Sequence, residues 1–111
     1  MNWLNLENAT QLEEIKAQSG DKPVLIFKHS TSCSISGMAW NRMQRYWIEE
    51  DFKKVTPYYL DLLSYRAISN QIASDFGVYH QSPQVILIKD GKAIYDNSHM
   101  GINYADIMGR V

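Results

Sequence analysis

The chain has 111 residues, 45% of them hydrophobic, which suits a single domain over residues 1–111 built on one core. Eleven basic and twelve acidic side chains give a net charge of −1 with no basic run, so no nucleic-acid or anionic-membrane footprint is expected. The apolar runs are too short to cross a bilayer, the N-terminus has no signal-peptide character, and the scattered His29, His80 and His99 match no zinc-ligand spacing, so neither a membrane span nor a metal is expected.

Taken in chain order, Trp3, Leu4 and Leu6 form at most a short edge segment. Asn8 is a candidate helix cap with Gln11 as its reciprocal partner, Leu12 and Ile15 share a face, and Ser19-Gly20-Asp21 ends the helix. Pro23 opens a strand, Val24–Phe27, whose unbroken apolar run indicates cover on both faces. Ile35, Ala39, Met43 and Tyr46/Trp47 recur at helical spacing, which predicts a long helix from Ser34 to Glu50. Trp40, Trp47, Met38 and Met43 read as its packing surface.

Val55–Leu60 reads as a second core strand, with Pro57 favouring an edge or a strand start. Tyr65–Phe76 reads as a helix ended by Gly77. Asp90-Gly91 between two strand-like runs, Gln84–Lys89 and Lys92–Asn97, signals a hairpin. Asn103, with Asp106 three residues on, is placed to cap a last helix. The expected class is α/β. A mixed four-stranded sheet is flanked by helices, with a right-handed parallel crossover and a C-terminal β-hairpin plus helix.

The only cysteine, Cys33, falls where the first core strand hands over to the long helix. A thiol at a helix start faces unpaired N–H groups and the positive end of the helix dipole, both of which favour the thiolate, the nucleophile of thiol–disulfide exchange. An ordinary thiol with a pKa of ~8.5 is only roughly 3% ionised at pH 7, and bringing it to half ionised takes about 2 kcal/mol. A helix dipole supplies roughly 0.3–1 kcal/mol, so direct hydrogen bonds from the Ile35 or Ser36 N–H, or from the Ser36 hydroxyl, are expected to help. A single cysteine forms no internal disulfide, and a reducing cytoplasmic location is expected.

The order of elements, with Cys33 after the first core strand and Ser82-Pro83 before the hairpin, resembles the thioredoxin superfamily. The stretch Gly77-Val78 followed by Ser82-Pro83-Gln84-Val85-Ile86-Leu87-Ile88-Lys89-Asp90-Gly91-Lys92 resembles the surroundings of the cis-proline there. Phe27-Lys28-His29-Ser30-Thr31-Ser32-Cys33-Ser34-Ile35-Ser36 more closely resembles the monothiol bacilliredoxins, whose members usually carry Cys-Pro-Ile-Ser; here Ser34 replaces the proline. Ser36 stands where Cys-x-x-Cys enzymes hold a resolving cysteine.

The resemblance implies a cis Ser82–Pro83 peptide beside Cys33 and a thiol–disulfide oxidoreductase working by monothiol exchange, with Cys33 and Ser36 as the catalytic pair. It implies bacillithiol as co-substrate, bacillithiolated proteins as clients and no bound cofactor. Ser34, Ser82 and Pro83 then belong to the thiol-binding set. Lys28 or His29, and the helix N-terminus at Asn103, become candidates for the carboxylates of the small thiol. Read without the resemblance, Ser36 is equally a helix-start hydroxyl, and His29 a structural residue. A non-enzymatic binding module with Cys33 as a redox-sensing or passively thiolated residue is the competing function. The chain is expected as a monomer or as a Cys33-linked dimer.

Overall fold

In the computed structural model, which describes residues 3–111, the chain runs β1 (Leu4–Asn5), α1 (Ala9–Gln18), β2 (Val24–His29), α2 (Ser34–Tyr46), α3 (Asp51–Lys54), β3 (Thr56–Asp61), α4 (Arg66–Phe76), β4 (Gln84–Lys89), β5 (Lys92–Ser98), a 3-10 turn (His99–Gly101) and α5 (Tyr104–Met108). The sheet order is β1-β3-β2-β4-β5, with β1, β3 and β2 parallel and β4 and β5 antiparallel. The fifth strand is the correction to the expected four. Leu4 and Asn5 pair with Tyr58 and Tyr59, and the Leu6 N–H extends the ladder to the Tyr59 carbonyl at 2.9 Å.

Every residue of β2 is buried, because the strand lies mid-sheet with helices over both faces. Side chains alternate along a strand, and the two faces build separate cores. Val24 and Ile26 join Leu12, Ile15, Leu60, Ile72 and Ile86, under α1 and α4. Leu25 and Phe27 join Trp3, Ala39, Met43, Trp47, Leu87 and Ile107, under α2 and α5. Pro57 is buried in a strand that has neighbours on both sides. It is tolerated there because it is the second residue of β3 and the two-residue β1 does not reach it.

Local chemistry sets most of the boundaries. Asn8 and Gln11 form a reciprocal capping box at the start of α1. Gly77 ends α4 at φ 65°, a left-handed conformation that glycine adopts without a Cβ clash. The hairpin turn puts Asp90 and Gly91 at φ 54° and 75°, as a two-residue turn with both centres left-handed requires. That turn is clasped by the end of α1. The Asp90 N–H donates to the Ser19 carbonyl at 2.9 Å and the Gly91 N–H to the Ser19 hydroxyl at 2.8 Å.

Helix α2 stops at Tyr46 rather than running to Glu50. Trp47 turns to an extended ψ of 127° and enters the aromatic cluster, its ring 4.8 Å from Trp3 and 5.7 Å from Phe52. Glu49 and Glu50 would have sat at the negative end of the long helix. They precede α3 instead, the end where acidic groups are favoured. Buried Asp51 accepts hydrogen bonds from the Ile48 N–H at 3.0 Å and the Tyr104 hydroxyl at 2.6 Å, which fixes the break and ties it to α5.

Candidate active site

Cys33 is the N-cap of α2, partly exposed, with extended backbone at φ −108° and ψ 122°. Its N–H donates to the Ser30 carbonyl at 3.1 Å, closing the loop from β2, and its own carbonyl accepts the first helical bond from Gly37 at 3.0 Å. Its side chain makes no capping bond. Ser34 is exposed in the first helical turn.

Ser36, third in α2, is fully buried. Its hydroxyl lies 2.6 Å from Nδ1 of His29 and accepts the Ser30 N–H at 2.9 Å. The expected direct bond from this hydroxyl to Cys33 is therefore corrected, because both of its contacts go to the end of β2 and the loop behind it. His29 is 7% exposed and lies among aromatic rings, 5.7 Å from Tyr59 and 6.3 Å from Trp40. Burial pulls its pKa below the ordinary histidine value, and the negative charge of Asp61 and the contact with Ser36 pull the other way.

Lys28 and His29 were candidates for one role, and the strand separates them. Lys28 points through the sheet to the α4 side, where it is 0% exposed and its Nζ donates to the Ser69 carbonyl at 3.1 Å, with His80 Nδ1 at 3.4 Å. It faces away from Cys33, so its assignment to a small-thiol carboxylate is corrected. Burial lowers its pKa to about 8, and it enters no salt bridge among the described residues.

Asn103 spends its side chain accepting the Asp106 N–H at 3.0 Å. The helix it caps has only five residues, too short for the anion site expected of it. It lines a shallow groove of about 310 Å³ with Arg42, Tyr46, Tyr104 and Ala105.

The Ser82–Pro83 peptide is cis, and the Ser82 hydroxyl is buried without a hydrogen-bond partner among the described residues. The Pro83 carbonyl accepts the N–H of His99 at 3.0 Å, and His99 holds a left-handed φ of 54°. That bond brings exposed His99 and Met100 beside the proline, a neighbourhood that sequence reasoning missed. The turn joining β5 to α5 carries no spacing signal of its own. Among the described residues no group of three or more metal-ligating side chains forms a cation site, and no helix is long and apolar enough to cross a membrane.

Known structures share this architecture. A candidate oxidoreductase with a thioredoxin fold superposes with a TM-score of 0.81 at 28% identity, over 96% of this chain and 90% of that one. The thioredoxin of Malassezia sympodialis superposes at 0.75 with 19% identity, over 98% of this chain and 87% of its own. That of Fasciola hepatica gives 0.69 with 16% identity, over 96% and 94%. The fold is thus that of thioredoxin. Residues 4–107 match the family model described as monothiol bacilliredoxin BrxC. The single partly exposed thiol at a helix start, with serine where a second cysteine could stand, fits that match, and the chain belongs to the monothiol bacilliredoxin family, with a thiol-oxidoreductase-like role.

Proposed function

We propose that Cys33 removes bacillithiol from mixed disulfides on client proteins by monothiol exchange. The Cys33 thiolate attacks the sulfur of the small thiol. The client leaves as a thiolate, and Cys33 keeps the small thiol in a new disulfide. A second bacillithiol thiolate then attacks that disulfide, releasing oxidised bacillithiol and the Cys33 thiolate. Electrons balance across the two exchanges, with the second small thiol as reductant.

The observation that carries this reading is the lone, partly exposed cysteine capping a thirteen-residue helix. Family membership supplies the small-thiol class. The unpartnered Ser82 hydroxyl beside Pro83 supports a contact to the incoming thiol, and Ser34 is exposed in the helical turn next to Cys33. Ile35 on α2 is 45% exposed, Met38 62% and Met100 75%, which suits docking of a protein client around the thiol. A reducing cytoplasm is the compartment in which this cycle would run.

The test is to mix reduced protein with a bacillithiolated client and follow the adduct by intact-mass spectrometry. The small thiol should appear on Cys33 and leave the client, and Cys33→Ser should transfer none. Thiolation no faster than that of an exposed cysteine in an unrelated protein would end the proposal.

A further inference from the structure

We infer that His80 is a pH-operated latch on the segment Tyr79–Ser82, closed while its imidazole is neutral and released when the ring is protonated. The latch is a property of the fold and stands apart from the exchange reading. Where that reading holds, the segment released is the one that carries Ser82.

Three elements build the cluster. Lys28 of β2 donates from Nζ to the Ser69 carbonyl of α4 at 3.1 Å, and the same Nζ lies 3.4 Å from His80 Nδ1. The Ser69 hydroxyl lies 3.1 Å from that nitrogen. With a pKa of about 8, Lys28 is mostly charged at pH 7. An ammonium has protons but no lone pair, so it only donates. Nδ1 is therefore an acceptor, and the neutral ring carries its proton on Nε2. If Nδ1 is protonated, the Ser69 hydroxyl can turn to accept from it, but the ammonium cannot. That proton ends the Lys28 contact and sets two positive charges face to face.

The parts differ in their freedom to respond. Lys28 is 0% exposed and paired in the sheet with Leu60 on one side and Gln84 on the other, so it stays. His80 is exposed, and Tyr79 beside it is 92% exposed. Buried Val78 and Pro83 anchor the two ends of the segment. Among the described residues its other hydrogen bonds come from Gln84, whose Nε2 donates to the Tyr79 carbonyl at 2.9 Å and whose Oε1 accepts the Gln81 N–H at 3.4 Å. Protonation therefore moves the imidazole and its segment rather than the lysine. Burial, Lys28 and Arg66 hold the ring below the ordinary histidine value. Arg66 opens α4 one turn before Ser69, the β4 neighbour is neutral Gln84, and on its own segment Tyr79 is the other titratable group. None of these is a carboxylate. A ring released to water recovers its ordinary proton affinity, so acid favours the open form.

NMR decides it. The His80 ring, and the amide shifts and order parameters of Tyr79–Ser82, are followed from pH 8 to pH 5 in the wild-type protein. The segment should titrate with the His80 midpoint, and its order parameters should fall from about 0.85 to about 0.6 or below while those of β4 hold. A ring that titrates without any change in the segment overturns the latch. His80→Asn puts an amide oxygen where Nδ1 stands and takes up no proton, so its segment should stay ordered at pH 5. A wild-type acid response in this variant assigns the effect to His29 or His99 and overturns the latch. His80→Ala should be loose already at pH 8, and an ordered segment there overturns it as well. Lys28→Met should raise the His80 midpoint by at least about 0.5 pH unit, and an unmoved midpoint overturns the facing charges on which release depends. Release in a protein that takes no bacillithiol from a client ends the exchange reading and leaves the latch standing.

Discussion

Two neighbouring basic residues at the end of β2 meet opposite fates. Lys28 goes to the α4 face and is held by the Ser69 carbonyl and His80, in the loop that leads to Pro83. His29 goes to the α2 face and meets the hydroxyl three residues after Cys33. Both are buried and neither enters an ion pair among the described residues. The lysine is therefore a group under electrostatic penalty that braces a loop. The histidine keeps a hydrogen-bonded contact to the first turn of the helix that Cys33 begins. One position along a strand separates a loop brace from a contact with the thiol-bearing helix.

The comparison can be broken from either side. Ser36→Ala should have the largest effect. It leaves the buried His29 Nδ1 and the Ser30 N–H without partners and should cost about 2–4 kcal/mol, read as a lower urea midpoint. Lys28→Met should move stability the other way, by roughly 1–3 kcal/mol at pH 7, because it keeps the volume and removes a poorly compensated charge. Its pH dependence has a definite sign. The folded-state pKa of about 8 lies below the ordinary 10.5, so the unfolded chain holds more protons between those values and wild-type stability rises there. The advantage of Lys28→Met should be constant below pH 8 and shrink towards pH 10.5; a gap that is flat in denaturant titrations across that window would contradict the assignment.

The smallest effect belongs to a site away from both residues. Tyr104→Phe removes one of two hydrogen bonds to buried Asp51 and should cost about 1.5 kcal/mol by thermal unfolding, with Cys33 alkylation unchanged. The Tyr104 phenol, pushed up to about 12 by burial and by Asp51, should stay un-ionised in a spectroscopic titration through pH 10.

Much of this architecture could be read from the residues, where local chemistry decides alone. The Asn8 and Asn103 caps, the Gly77 stop and the Asp90-Gly91 hairpin each follow from one or two side chains. The misses share a different cause. β1 is two residues long and exists only because Tyr58 and Tyr59 offer it an edge. The end of α2 is decided by Trp47 reaching Trp3, a contact across forty-four positions of sequence that no periodicity carries. Lys28 and His29 were weighed as equivalents because β2 is apolar on both faces. No polar alternation marks which side each residue takes. Counting two by two from Val24 would have separated them.

The clasp at Ser19 has a further consequence. The backbone and hydroxyl of one residue hold both amides of a turn more than seventy positions downstream, so that turn is not a free tip. Affinity tags, protease sites or circular-permutation breaks placed between Asp90 and Gly91 would cut the tether joining the earliest helix to the closing hairpin. Engineered insertions there would unravel the domain from the end farthest along the sheet from the thiol.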